Sequence, residues 1–240
     1  AAMHHLVSEV IDNSMDEAVA GYANRISIEM FADGSISIDD NGRGIPVDNH
    51  PKFPKKSALE VILTTLHSGG KFSDKAYQTS GGLHGVGISV VNALSEKLNI
   101  EVYRDGFIYS QSYSRGHALT KLEKIVSSKK QKGTKITFTP DSEIFGDISL
   151  KPKRVYDLAK SKAYLYKGFE IHWSCSPELI NNEEVPAKSV IHFPNGLKDY
   201  LDSKLDKEKI IGGEIFSGNA EIASEAMKIE WAMCWHEDEN

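Results

Sequence analysis

The sequence predicts an α+β fold of two layers, a mainly antiparallel mixed sheet with helices covering one of its faces. Three observations predict it. The opening segments run helix then hairpin, not strand–helix–strand. Asp33-Gly34 and Asp105-Gly106 each separate two runs with alternating apolar residues, which is a hairpin signal. Segments with a helical apolar stripe flank those strands, and a sheet with one dry face is what such stripes can cover.

Each element follows from its own pattern. Met3–Val19 carries Leu6, Val7, Val10 and Ile11 on one side and reads as an amphipathic helix that Gly21 ends. Arg25–Phe31 alternates through Ile26, Ile28 and Met30, and Ser35–Asp40 alternates again through Ile36 and Ile38. Asn41–Lys56, rich in Gly and Pro, reads as loop. Ser57 is placed to cap a helix over Ala58–Leu66. Residues 68–87 hold six glycines among polar residues, a length that inside a compact domain signals a functional loop or lid. Ile88–Lys97 predicts a buried helix, and Ile100–Arg104, Phe107–Ser114 and Thr134–Thr139 predict strands. Pro152 starts a helix that runs to Lys167, before Gly168. Strands are predicted at Phe169–Ser174, Ser189–Phe193 and Met227–Trp235, with a short helix at Leu197–Leu205.

Composition narrows the function classes. With 240 residues, 40% of them hydrophobic, the chain can bury a substantial core. No apolar run approaches the ~20 residues of a membrane span, so no membrane partner is expected. Two cysteines, Cys175 and Cys234, make no disulfide framework, and a cytoplasmic location is the default. The net charge of −6 argues against a broad nucleic-acid-binding surface, and the lysine clusters near 52–56, 129–135 and 151–162 read as solvated faces. The chain opens almost inside a helix and closes just after a strand-like run, so it is expected to be part of a longer protein.

The residues that carry chemistry lie in the first half. On a 3.6-residue period Glu9, Asn13 and Asp16 share a narrow stripe beside the apolar one. An Asn oxygen suits Mg²⁺ and a Glu one turn away can take a proton from water; a solvated helix face is the plainer reading. Asp40 is in phase with Ile36 and Ile38, so it points toward the core and must find a partner or hold its proton. An exocyclic amine of adenine would satisfy it; capping the following loop would too. The loop Asp40-Asn41-Gly42-Arg43-Gly44-Ile45-Pro46 lets backbone approach a planar ligand, and Arg43 is placed to stack on a base or to pair with Glu17. Gly81-Gly82-Leu83-His84-Gly85-Val86-Gly87 opens a helix and presents free N–H groups to phosphate, although no strand feeds it as a dinucleotide fold requires. Lys71 adds either a phosphate contact or an exposed lysine.

In this order, Glu-x-x-x-Asn on a helix, Asp-x-Gly-x-Gly and then Gly-x-x-Gly-x-Gly, the chain resembles the GHKL ATPase superfamily. The runs 4–6, 12–18, 66–72 and 80–95 look like the B subunits of type IIA DNA topoisomerases, gyrase and topoisomerase IV. The stretches 50–57 and 193–197 look more like the latter. The likeness is dense to about Arg104 and continues to Trp235. It implies a GHKL-type sandwich over residues 1–240, with 226–240 leading toward a second subdomain. It implies ATP and Mg²⁺ as cofactors, Glu9 as general base and Asn13 as the Mg²⁺ ligand. Asp40 would take the adenine amine, directly and through a water shared with Thr134. Arg43 would lie over the base, paired with Glu17, next to Gly44, Ile45 and Pro46. Val10, Ile38, Ile45, Leu63, Ile88 and Ile136 would line the base pocket. Gly82, Leu83, His84, Gly85, Val86 and Gly87 would wrap the phosphates, with Lys71 and Tyr77 on a lid and Arg104 at the mouth. The family pattern also implies an N-terminal arm and a second subdomain that supplies a lysine to the γ-phosphate, neither within this sequence. Nucleotide binding with little turnover by a monomer is therefore expected of this chain alone. In the full-length protein the partners would be a second B subunit, the A subunit and DNA. A non-catalytic nucleotide-sensing module and a histidine-kinase ATP domain are the competing readings.

Overall fold

The computed structural model describes residues 2–65, 87–126, 131–147, 149–180, 185–222 and 227–237. Helix α1 (Ala2–Val19) forms because Met3, Leu6, Val7, Val10, Ile11, Ser14 and Met15 fall on one face, and that face is buried. It ends at Gly21, whose φ of 78° suits a left-handed cap, where Tyr22 N–H returns to the Glu17 carbonyl at 2.8 Å.

Strands β1 (Arg25–Met30) and β2 (Ile36–Asp40) pair antiparallel with Ile28 opposite Ile38. The connection is longer than the two-residue turn that Asp33-Gly34 suggested. Phe31 N–H donates to the Ser35 carbonyl, leaving Ala32, Asp33 and Gly34 between, and only Gly34 has positive φ. The Asp105-Gly106 turn does match, with both residues at positive φ. A short hairpin of β3 (Asn49–His50) and β4 (Phe53–Ser57) occupies the end of what the sequence suggested was loop. Ser57 caps α2 (Ala58–Thr64) by accepting from Glu60 N–H.

Helix α3 is shorter than expected, Gly87–Ala93, and β5 begins at Ser95 and runs to Arg104. The alternation of buried Leu98, Ile100 and Val102 takes over there, because pairing of Ser95 with Pro140 and of Lys97 with Thr139 outweighs the weak helical signal at 94–97. Then come β6 (Phe107–Ser114), β7 (His117–Ala118), β8 (Glu123–Val126), β9 (Gly133–Pro140), α4 (Ser142–Phe145) and α5 (Pro152–Leu165). The last part holds β10 (Glu170–Cys175), β11 (Lys188–His192), α6 (Leu197–Lys204), β12 (Ile210–Ile222) and β13 (Met227–His236).

Nine strands form one sheet in the order β11-β10-β1-β2-β9-β5-β6-β7, with β8 also on β6. Every pairing is antiparallel except β1 with β10, so the sheet is mixed in the expected sense. Its dry face carries Ile26, Ile28, Ile38, Ile100, Ile136 and Phe138, packed against α1, α3 and α5 in one core. Two polar links fix α1 to α5. Lys162 Nζ sits 2.5 Å from Asp12 Oδ1, and His4 Nε2 accepts the Lys151 N–H at 2.9 Å. The β12–β13 ribbon is a separate two-stranded sheet that contacts α6.

Candidate functional site

The site is built outward from α1, on which Glu9, Asn13 and Glu17 follow one another at a spacing of four. All three flank the buried stripe and are half-buried. Glu9 lies against the first residue of α3. A Cβ on Gly87 would overlap the Glu9 carboxylate, so any larger residue there would turn the carboxylate from its present place. His5 Nε2 stands 3.8 Å from Glu9 Oε1.

Asp40 is the buried centre of the arrangement, 4% exposed at the end of β2. The two-residue period that buries Ile36 and Ile38 carries Asp40 to the same dry face. Its carboxyl is pushed up to about 7 by loss of water, against the pull of three donors. Gly42 N–H donates to Oδ1 at 2.8 Å, Thr134 N–H to Oδ1 at 3.3 Å and the Ser14 hydroxyl to Oδ2 at 3.2 Å. An ionised carboxylate offers about four lone-pair sites, so a place remains for one further donor. Beside it, Gly133 has a φ of 130° and a Cβ there would fall on the Asp40 carbonyl, which lets β9 start hard against β2. At Gly42 a Cβ would press on both the Glu17 and Asp40 carboxylates.

The loop after Asp40 is held by side chains rather than by a ladder. Glu17 Oε2 accepts from Arg43 N–H at 2.9 Å and Nε at 3.1 Å, and Oε1 accepts from Nη2 at 2.7 Å. The guanidinium carbon also lies 3.8 Å over the Tyr22 ring, a stacking partner the sequence did not suggest. Thr134 Oγ1 accepts from Ile45 N–H at 3.1 Å, and Arg104 Nη1 donates to the Gly44 carbonyl at 3.1 Å. Thr134 thus ties Asp40 by its backbone and the loop by its hydroxyl. Pro46 follows, half-buried, ahead of buried Val47. Val10, Ile38, Leu63, Ile88 and Ile136 are buried in the core beneath, with Ile45 partly buried against it.

Of the residues singled out in the sequence, contacts join Glu9 with Gly87, Glu17 with Arg43, Asp40 and Ile45 with Thr134, and Gly44 with Arg104, while Asn13 lies between Glu9 and Glu17 on α1 and Pro46 follows Ile45. Lys71, Tyr77, Gly82, Leu83, His84, Gly85 and Val86 lie outside the described residues. Three residues were missed. Ser14 is signalled only as a polar residue inside an apolar stripe, Tyr22 sits past the helix cap, and Gly133 precedes the predicted strand with no local signal of its own. Among the described residues no three His, Cys, Asp or Glu side chains gather as a metal cage. A cation here would take one or two protein oxygens and the rest from phosphate and water, the habit of Mg²⁺. A buried acceptor with one free position, next to a loop carried by glycines, fits a flat ligand that offers an amine.

Residues 1–144 match the family described as histidine kinase-, DNA gyrase B- and HSP90-like ATPase. The chain belongs to this ATPase family. Its whole length is 62% identical to the B subunit of DNA topoisomerase 4 from Rickettsia bellii, of which it covers 36%. Over 98% of the chain it is 54% identical to the protein of the same name from Caulobacter vibrioides, covering 34% of it. The 43K ATPase domain of Thermus thermophilus gyrase B, solved with an aminocoumarin, superposes with a TM-score of 0.77 at 34% identity. That match covers 92% of this chain and 54% of the other. The chain thus spans about a third of the length of the curated relatives it matches. The mixed sheet with helices on one face is the ATPase fold of this family, and ATP binding goes with it.

Proposed function

We propose that the chain is the ATP-binding and ATP-hydrolysing domain of a type II DNA topoisomerase, from a B subunit of the topoisomerase IV kind. Asp40 carries this reading: a carboxylate 4% exposed, supported by three donors and still able to accept one more. In the ionised state it is an acceptor only, which suits the amine of adenine. Thr134 would share a bridging water with it, and Arg43, already paired with Glu17, would cover the base. Gly44, Ile45 and Pro46 would face the ring edge, and Arg104, through the Gly44 carbonyl, would hold the mouth.

Glu9 and Asn13 are one turn apart on α1, which fits a base and a cation ligand acting at the same phosphate. Mg²⁺ bound there would neutralise phosphate charge. Asn13 would hold that ion with a neutral oxygen, and Glu9 would orient the attacking water and take its proton. Lys71 and Tyr77 would close over the nucleotide, and Gly82, Leu83, His84, Gly85, Val86 and Gly87 would surround the phosphates. In the full-length protein, in the cytoplasm, nucleotide binding would close a dimer of B subunits, and hydrolysis would reopen it to drive DNA strand passage with the A subunit. The identity to relatives named for topoisomerase 4 supports that enzyme over gyrase.

Calorimetric titration with Mg²⁺ and a non-hydrolysable ATP analogue tests the reading. The wild type and Glu9→Ala should bind, and Asp40→Asn should lose at least tenfold in affinity. Normal binding by Asp40→Asn would refute the assignment of the base pocket.

A further inference from the structure

We propose that Ser14 is a positioning residue that keeps Asp40 in its acceptor state and so makes the pocket select an amino-bearing purine over a 6-oxo purine. The proposal rests on the reading of Asp40 as the group that meets the base.

Ser14 sits on the buried face of α1, 2% exposed, between Ile11 and Met15. Its Oγ has two neighbours at nearly equal distance, Asp40 Oδ2 at 3.2 Å and the Val10 carbonyl at 3.3 Å. A hydroxyl has one proton to give. Val10 O can only accept, and an ionised Asp40 can only accept, so the two contacts compete for that proton. Both are satisfied together in one case, when Asp40 carries a proton on Oδ2, donates it to Ser14 Oγ, and Ser14 donates onward to Val10.

Ser14 therefore has two arrangements that match the two states of Asp40. In one it donates to the carboxylate, and Val10 O keeps the helix ladder as its partner. In the other it accepts from the carboxylic acid and back-bonds to its own helix. The first presents Asp40 to a ligand as a pure acceptor. Without the hydroxyl, Oδ1 keeps the Gly42 and Thr134 N–H groups while Oδ2 loses its donor. The carboxyl then holds its proton more firmly and can offer it to a 6-oxo group.

The charged groups around Asp40 do not replace this role. Glu17, on the same helix, opposes ionisation of Asp40, and the nearby cation Arg43 is engaged by Glu17 and stacked on Tyr22. From β1 the residue opposite Asp40 is Ile26, and from β9 the contact is a backbone N–H. Among the described residues, Ser14 is the side chain that donates to the carboxylate.

The test has two arms on the same chain. Carbon-13 NMR of the Asp40 carboxyl in the nucleotide-free protein, titrated from pH 4 to pH 9, reads its protonation directly. Ser14→Ala should raise the midpoint by about one pH unit. Ser14→Thr, which keeps the hydroxyl, should leave it near the wild-type value. Calorimetry at pH 7 should then show a several-fold loss of affinity for a non-hydrolysable ATP analogue in Ser14→Ala. The ratio of that affinity to the affinity for the matching inosine nucleotide should narrow. Should the alanine variant fold poorly, Ser14→Cys, a weak donor of similar size, should give the same upward shift. An unmoved midpoint in a folded Ser14→Ala or Ser14→Cys protein overturns the proposal. So does a raised midpoint with an unchanged nucleotide preference. Failure of the underlying adenine reading is seen separately, as undiminished binding by Asp40→Asn.

Discussion

The pair of Glu17 and Arg43 is the most informative single place to perturb. Three hydrogen bonds of 2.7 to 3.1 Å join them, one of them from the Arg43 backbone, and the two side chains are 12% and 28% exposed. A surface ion pair contributes about 0 to 1 kcal/mol, whereas removing one partner of a buried pair costs about 3 to 5 kcal/mol. Partial burial, bidentate geometry and the Tyr22 stacking that survives put Glu17→Ala between these, at about 2 to 3 kcal/mol. For a chain of this size that is a fall in melting temperature of roughly 5 to 10 °C. The assay is calorimetric unfolding of Glu17→Ala, Arg43→Ala and the double variant, with analogue affinity measured on each. A coupling energy of about 2 kcal/mol is expected, and both single variants should weaken analogue binding about tenfold, because Gly44, Ile45 and Pro46 lose their anchor. A coupling below about 0.5 kcal/mol would show that the pair is a solvated contact and that the loop is held by other means.

Three further outcomes follow from named groups. Asp40 holds its proton more tightly folded than unfolded, at about 7 against 3.8, so its contribution is fully favourable below pH 4 and is lost as pH rises through 7. Unfolding measured from pH 4 to pH 8 should show Asp40→Asn gaining on the wild type across that window, by at most about 4 kcal/mol, and level above it. His4 is shifted the other way, below 6.5, by burial and then by Arg154 and other nearby positive charge, and its Nε2 must stay unprotonated to accept from Lys151. Its contribution is present above pH 6.5 and lost as pH falls below that. Melting curves of His4→Gln should therefore vary less than wild type between pH 7 and pH 5. Gly133→Ala places a methyl on the Asp40 carbonyl, a backbone atom that cannot rotate away. It should cost about 3 kcal/mol or more and abolish analogue binding, and a variant that melts and binds like wild type would refute the close approach of β9 to β2.

Much of this was legible in the residues, and the reasons are physical. The stripe of α1, the alternation of β1 and β2, and the placing of Asp40 in phase with Ile36 and Ile38 are local patterns that burial enforces. The roles of Glu17 and Arg43 could be suggested by charge and spacing. What could not be read is whatever depends on a partner distant in sequence. Ser95–Lys97 reads as helix until β9 is available beside it to extend it as strand. The thirteen residues of β12 include three glycines, and their strand conformation depends on the opposing β13. Tyr22 under Arg43, and the Thr134 hydroxyl on the Ile45 N–H, are contacts closed only by the fold.

The register of β2 explains why the acceptor can be so exactingly placed. Ile36 faces Phe138 and Ile38 faces Ile136, and the ladder with β9 stops at Asp39 opposite Lys135. Asp40 comes one residue later, past the last ladder pair but still on the dry side, so the Thr134 N–H turns to its carboxylate. A slip of one residue would send Asp40 to the open face and put Asp39 in the core. Four buried side chains, Ile36, Ile38, Ile136 and Phe138, oppose that slip, each of them 1% exposed or less. The Asp40 carboxylate is thus fixed by packing that extends away from the site, while the loop from Gly42 to Pro46 is fixed by a few polar contacts. Substitutions in that packing should shift affinity only when they cost stability as well, whereas Thr134→Val, which removes only the hydroxyl that holds the Ile45 N–H, should shift affinity out of proportion to stability.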